Sequence, residues 1–443
     1  MNKTDKKRSR LLIKNVIASF AVKGWSAGVA LLMVPLTLMC LGTYKNGVWL
    51  TISSLLLWID QMDIGLGNGL RNKLAAHMAH QEIQEAKKVV SSTMAMLACI
   101  VFPLFLLLLL FIYYADVYAF LNVQPDIIPE LRTALTCATT LVCMTFVMKF
   151  IGNVYMGLQL PAVNNLLVSL GHTLALIFTV FLYYTGHASF TAIVIVNTAG
   201  PLLVYLLSYP YTFHLRFPQL RPSLKCVNIR SALDLGNIGV KFFWLQLAGL
   251  IQFATANILI SHFFTPEMVT PYQIAYRYIS LMMVVFTIIC MPFWNATTDA
   301  YARGDMKWIE QANRKMNYLT AGIAFLLVLM VIASPWVYQL WIGDNCHIPM
   351  NMTAVMALYI FLLIASMRYS YFLNGMGALR IQLYMTISAI VFIPLAWVVS
   401  SYTHDIVWFM SVMCLCNIPG LIANIIQFNK ILHGTATGIW SIS

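Results

Sequence analysis

From Val89 to Tyr114 the chain carries no charged residue. A run of that length has one stable fate, a helix crossing a bilayer. The hydrocarbon core is about 30 Å thick and takes about 20 helical residues to span. The pattern recurs along the chain. Runs of spanning length fall near 15–40, 47–65, 89–114, 131–155, 160–184, 190–209, 236–262, 272–297, 317–341, 350–373, 380–401 and 406–428. They are unbroken and do not alternate, which argues against an outer-membrane barrel. Prolines sit inside several of them (Pro35, Pro103, Pro201, Pro292, Pro335, Pro394, Pro419). Kinked helices survive in lipid when neighbours satisfy the freed carbonyls.

Composition agrees. Of the 443 residues 60% are hydrophobic and 9% are charged, whereas soluble domains carry about 25% charge. The expected fold class is therefore an all-α polytopic membrane protein with about 12 transmembrane helices. The first apolar run is too long for a signal-peptide core and reads as a span. The nine cysteines show no metal-ligand spacing, and only Cys346 falls in an expected outer loop, so no metal site or disulfide framework is expected. Cys414 and Cys416 lie in an apolar run and read as small packing residues.

The net charge of +12 does not point to nucleic acid, because the cations cluster in short loops. One side of the membrane collects Lys3, Lys6, Lys7, Arg8, Arg10, Arg71, Lys73, Lys87, Lys88, Arg216, Arg221, Lys225, Arg230, Arg303, Lys307, Arg314, Lys315, Arg380 and Lys430. The other side has Lys45 and Arg132, with Asp116, Asp126, Glu130, Glu267, Asp344 and Asp405. Cytoplasmic loops are the basic ones, so both termini are expected in the cytoplasm. Within the charged connection after the second span, Leu74 to Val89 reads as an amphipathic helix lying along anionic headgroups.

The halves echo each other. Val22-Lys23 maps onto Val240-Lys241, and Met148-Lys149 onto Met367-Arg368. Gly157 maps onto Gly377, and Asn197–Gly200 onto Asn417–Gly420. Ala79-His80-Gln81-Glu82 resembles Ala302-Arg303-Gly304-Asp305. Six spans per half is an even number, so the halves are expected to be parallel repeats about an axis along the membrane normal. The expected organisation is an N-terminal six-helix bundle (1–209), a cytoplasmic linker (210–235), a C-terminal six-helix bundle (236–430) and a cytoplasmic tail (431–443), with a central cleft between the bundles.

Lys23, Lys149, Lys241, Arg277 and Arg368 fall within spans. A cation at mid-bilayer costs roughly 2.5–3.5 kcal/mol on insertion scales. Lys23, Lys149, Lys241 and Arg368 lie in the cytoplasmic third of their spans, where long side chains can reach the headgroups. For Lys149 and Arg368, snorkelling or interhelical bonding is the favoured reading. Lys23 shares a helical face with Asn15, Ser19 and Ser26; Lys241 shares one with Trp244, Ala248, Gln252 and Thr255; Arg277 shares one with Gln273, Ser280 and Thr287. Interhelical glue explains Ser, Thr and Ala, but it explains Lys and Arg on the same stripes poorly. A wet cleft explains both. Its cationic character suits an anion, and Lys and Arg are the usual partners of phosphate. Trp25, Trp58, Trp244, Tyr272 and Tyr276 are candidates for stacking on sugars, with packing or an interfacial belt as the commoner role of such residues. Asp60, Asp63 and Asp299 lie at the cytoplasmic rim, as coupling or gating residues or as ordinary rim charges.

The residues Leu41-Gly-Thr-Tyr44-Lys-Asn-Gly47-Val-Trp49 and Asp63-Ile-Gly-Leu-Gly-Asn-Gly-Leu-Arg-Asn-Lys73 resemble the polysaccharide flippases, the Wzx-type O-unit translocases of the multidrug/oligosaccharidyl-lipid/polysaccharide exporter superfamily. The resemblance implies a MATE-like fold and a flippase that moves undecaprenyl-diphosphate-linked oligosaccharide to the periplasmic leaflet of a bacterial inner membrane by alternating access. It implies O-antigen, capsule or another surface glycan as the product, a downstream polymerase or ligase, and no cofactor beyond H+ or Na+ coupling. It also implies a cationic cleft, here matched by Lys23, Lys241 and Arg277. A multidrug exporter of the same fold would be expected to place carboxylates deep in the cleft, and none of the fifteen acids lies there. A glycan polymerase or ligase needs room for chemistry, and the longest outer loop, Ala115 to Glu130, has little.

Overall fold

The structure, a computed structural model, describes residues 3–61, 66–228, 255–385 and 387–441. The side chains of 3–20, 60, 61, 68, 291, 292, 295 and 387–389 are not among those described. Within these limits the regular structure is helical throughout. That follows from the solvent: with no water in the hydrocarbon region, each backbone amide must be satisfied inside its own segment.

The chain divides into two compact units, Met1–Phe243 and Trp244–Ser443. In the first, α1 (Lys3–Gln61) leads to α2 (Leu66–Ala79), α3 (Ile83–Tyr114), the short α4 (Val117–Leu121), α5 (Leu131–Met148), α6 (Phe150–Gly157), α7 (Pro161–Tyr184) and α8 (Phe190–Pro210). In the second, α9 (Pro266–Ile279) leads to α10 (Leu281–Ala302), α11 (Met306–Ile342), α12 (Met350–Gly375), α13 (Arg380–Met385), α14 (Ile387–Thr403) and α15 (Ile406–Leu432).

Ten helices among the described residues are long and apolar enough to cross a membrane. One of them holds two expected spans. At 59 residues α1 would run to roughly 90 Å at 1.5 Å per residue, far beyond one bilayer core. Gly42 breaks it with φ 69 and ψ 174, a left-handed conformation that glycine adopts without steric cost. The expected span 236–262 lies mostly outside the described residues.

Polar residues inside the spans mostly turn back on their own helices. Thr37, Thr93, Thr179, Thr198 and Thr320 each donate to a carbonyl four residues earlier at 2.8–2.9 Å. Many loop charges are helix caps. Asp116, Asp305 and Asp405 accept from the first amides of α4, α11 and α15. Arg132 donates to the carbonyls of Tyr113 and Ala115 at the end of α3, where the last carbonyls have no partner within the helix.

One expectation needs correction, and the course of the expected linker can be added. The amphipathic helix expected over Leu74 to Val89 does not form as one piece. α2 ends at Ala79, Gln81 takes a φ of 62, and α3 starts at Ile83. The polar stretch His80-Gln-Glu82 offers nothing to bury, so it makes the corner. Residues 211–228, expected as linker, lie against the first unit. The amides of Ser223 and Asn228 donate to Ser91 Oγ and Ser92 Oγ at 3.1 and 2.8 Å. Phe213 stacks on Phe150 at 5.7 Å.

The repeat shows in the turns. The amide of Glu82 donates to His77 O at 2.8 Å, and that of Asp305 to Ala300 O at 2.9 Å. Gln81 and Gly304 are the positive-φ residues of the two corners. Leu160 donates to Tyr155 O, and Ala378 to Leu373 O, both at 2.8 Å. The side chains of Asn197 and Asn417 donate to Ile193 O and Met413 O. One pairing shifts. Gly377 (φ 79) has the role of Gln159 (φ 60), and the counterpart of Gly157 is Gly375. A Cβ on Gly157 would meet Leu74 Cβ at 3.0 Å and Arg71 O at 3.2 Å; on Gly375 it would meet Thr297 Cβ at 2.8 Å and Trp294 O at 2.9 Å.

Candidate functional site

Of the residues assigned to the cationic path, Lys241, Trp244, Gln252 and Asp63 lie outside the described residues, as does the side chain of Asp60. Lys23 and Arg277 are described, one in each unit.

Lys23 is exposed on α1. The helix is fastened to α7 on either side of it. Ser169 Oγ donates to Val22 O at 3.3 Å, and the Trp25 indole donates to Thr173 Oγ1 at 2.9 Å. These contacts rise together along both sequences, so α1 and α7 run parallel at the seam.

Arg277 is half-buried in the last turn of α9. Its carbonyl accepts from Ser280 Oγ at 3.2 Å. One turn earlier, buried Gln273 donates to Asn257 Oδ1 at 2.7 Å. An amide pair in the core satisfies itself at little cost, whereas an orphan would cost about 1–3 kcal/mol. Tyr272 does not serve as a sugar platform. It is fully buried, with its hydroxyl on Met413 Sδ at 3.6 Å. Trp25 remains exposed.

Asp299 stands at the end of α10, exposed, with Arg303 Nη2 at 2.8 Å and Nε at 3.1 Å from one oxygen. An exposed pair of this kind is worth about 0–1 kcal/mol. It braces the corner before α11.

Lys149 and Arg368, equivalent in sequence, differ in setting. Lys149 lies at the break between α5 and α6, half-buried, with Nζ 5.1 Å from the centroid of Phe146. Arg368 is buried within an unbroken α12. It donates to Asn317 Oδ1 on α11 and lies 4.1 Å over the Tyr369 ring. The acids nearest that end of the neighbouring helices are engaged elsewhere, Asp299 with Arg303 and Glu310 with Arg314. Arg368 thus joins two helices through neutral partners.

The surface also carries two apolar grooves. One of about 690 Å³ runs between α3 and α5 past Phe102, Pro103, Cys143 and Met144. One of about 340 Å³ runs between α11 and α12 past Leu327, Val328, Ala354 and Leu358. Neither lining includes a charged side chain. Among the described residues no group of His, Cys, Asp or Glu could hold a metal ion.

Sequence reasoning missed one residue of chemical interest. His172 lies at the middle of α7, exposed. A survey of Lys, Arg and carboxylates passes over it. An imidazole at mid-span depth was the available signal.

Taken together, the long apolar helices and two units built on the same turns define a multi-pass membrane protein. No protein-family profile matches the chain. The chain is similar to a MATE-family multidrug-resistance transporter of the MOP superfamily in an inward-facing conformation. The TM-score is 0.80 and the identity 14%, over 95% of this chain and 98% of that one. The fold is therefore MATE-like. In sequence it is similar to a Yersinia pseudotuberculosis protein described as an O-antigen export protein, 22% identical over 77% of this chain and 78% of the relative. It is also similar to a Salmonella typhimurium protein described as an O-antigen transporter, 20% identical over 64% of this chain and 65% of the relative. The comparisons thus agree with the expected resemblance, in sequence to proteins described as O-antigen transporters and in fold to MATE transporters.

Proposed function

We propose that this protein flips undecaprenyl-diphosphate-linked oligosaccharide from the cytoplasmic to the periplasmic leaflet of a bacterial inner membrane, with both termini in the cytoplasm. The observation that carries the reading is chemical. Cations stand within the spans of both units, Lys23 exposed and Arg277 half-buried, while none of the chain's fifteen acids lies deep in a span. A positive, low-dielectric path selects an anion and offsets its lost hydration. The relatives' descriptions as O-antigen transporters support a surface-glycan substrate over a drug.

In this reading the diphosphate enters from the cytoplasm and pairs with Lys23, Lys241 and Arg277. The sugars ride in water and the prenyl tail stays in lipid. The two bundles then rock to open the path outward, and no bond is made or broken. A cation-drug exporter of the same fold would want a carboxylate at that depth. A polymerase or ligase would form product from lipid-linked sugar in detergent. Deleting the gene and analysing lipid-linked sugars tests the reading. Finished repeat units stranded in the inner leaflet are expected. Truncated units, or none, would point to an assembly enzyme and contradict it.

A further inference from the structure

Around α7 the neighbours can be ordered by helical rotation. Leu166, Leu170, Ile177 and Phe181 are exposed and recur at steps of four, seven and four, the stripe of a lipid-facing side. Leu167, Gly171 and Ala175 are buried, toward α8. A Cβ on Gly171 would meet Pro201 Cα at 2.8 Å, and one on Gly200 would meet Gly171 O at 2.7 Å. Ser169 and Thr173 face α1. Between the α8 side and the α1 side, and away from the lipid stripe, lies a second exposed strip with Val168 and His172. Counting 3.6 residues per turn from the two α1–α7 contacts, Lys23 and His172 project to the same side of that seam.

Among the described side chains the charged and titratable groups around this strip are few. On α1 it is Lys23. On α6 they are Lys149 at the N-terminal cap and Tyr155, which is buried. On α8 there is no charged residue between Phe190 and Pro210, and Tyr205 is buried. On α7 itself Tyr183 and Tyr184 lie at the far end. Of the chain's nine histidines, seven fall in the connections between expected spans or in the tail and one, His262, at the end of an expected span; only His172 occupies the middle of an expected span. An imidazole is the side chain that changes charge near neutral pH.

We propose that His172 is a substrate-contacting, proton-binding residue of the first unit. Protonated, it adds a second cation beside Lys23 and tightens the hold on the diphosphate; neutral, it leaves Lys23 to act alone. This rests on the flippase reading and deepens it, because binding becomes linked to protonation. The sign follows from linkage: an anion that prefers the charged imidazole binds more tightly as pH falls through the histidine's range.

The experiment measures the affinity of farnesyl diphosphate for the full-length protein in nanodiscs between pH 5.5 and 8.5. The wild type is compared with His172→Gln, His172→Lys and Lys23→Ala. Because the ligand itself titrates, the readout is the ratio of variant to wild-type Kd at each pH. For His172→Gln the ratio should rise from near one at pH 8.5 to about three- to tenfold at pH 5.5, the scale of one added charge near a wet surface. His172→Lys should bind at least as well as the wild type at pH 8.5, and its advantage should vanish at pH 5.5. A His172→Gln ratio that stays at one throughout, while Lys23→Ala weakens binding, overturns the role of His172 and leaves the flippase reading standing. Absence of diphosphate binding in the wild type at every pH overturns both. Thermal stability of each variant separates lost binding from lost fold, and His172→Asn replaces any variant that does not fold.

Discussion

The two units share main-chain turns and differ in the side chains placed around them. The corners after α2 and α10 share their hydrogen bonds, as do the turns after α6 and α12. Yet the cation of the first unit, Lys149, sits at a helix break, while its counterpart Arg368 is buried in a continuous helix. A Cβ on Gly200 in the first unit would meet the backbone of α7, Gly171 O at 2.7 Å, whereas one on Gly420 in the second would meet, among the described residues, Met385 Cβ alone, at 3.9 Å. Turn geometry is fixed by main-chain bonds that many sequences satisfy. Side chains between helices answer to local packing, so they diverge after duplication.

The sharpest way to break this comparison is to fill the crossings. Gly171→Val would push two methyl groups and a Cβ against the Pro201 backbone, which cannot yield. A loss of more than about 3 kcal/mol, or no folded protein, is expected from overpacking a crossing this tight. Gly420→Ala should be neutral or stabilising by up to about 1 kcal/mol, since alanine is the better helix former. Thermal unfolding in detergent of the two variants would show it. Equal losses would mean the two crossings are alike after all.

A smaller difference is expected at the paired cations. Arg368→Lys loses both the planar stack on Tyr369 and the directed bond to Asn317, and should cost about 1–2 kcal/mol. Lys149→Arg keeps a cation that can still lie over Phe146 and should cost under about 0.5 kcal/mol. If the two variants melt together, the burial of Arg368 carries no special weight.

At the rim, Asp299→Asn breaks an exposed pair and should change stability by less than about 1 kcal/mol while leaving transport intact. Lost transport with normal membrane levels would make Asp299 a coupling or gating residue and set the second unit's corner apart from the first's. The least effect concerns Cys346, in the connection between α11 and α12. Burial, with Glu267 nearby, pushes its thiol up to about 11. Labelling by an impermeant maleimide from outside should be slow at pH 7 and quicken about tenfold per pH unit until pH approaches 11. Labelling only from the cytoplasmic side would invert the expected topology.

Much of this was legible in the sequence because hydrophobic length and loop charge report directly on the bilayer. Within the described residues the apolar runs are helices, and the turn at Ala79–Glu82 matches that at Ala302–Asp305 bond for bond. What was not legible depends on three dimensions. Tyr272 reads in sequence as a candidate for stacking on sugars, yet its whole ring is buried, and no periodicity distinguishes a wet face from a packed one. Gly157 was paired with Gly377 by identity, whereas the turn demands a positive φ at Gln159 and Gly377 and close packing at Gly157 and Gly375. The segment 211–228 is polar enough to read as linker, and the amide bonds to Ser91 and Ser92 with the stack of Phe213 on Phe150 show where it lies. His172 escaped because a single histidine is neither a run nor a motif.

The central claim is that cations within the spans carry a diphosphate headgroup across. The most direct measurement reconstitutes the protein in liposomes with an undecaprenyl-diphosphate oligosaccharide and follows how much of it moves between leaflets. Wild type should move it, while Lys23→Ala and Arg277→Ala, inserted and folded at normal levels, should slow movement at least tenfold. Movement at the wild-type rate in both variants would contradict the account.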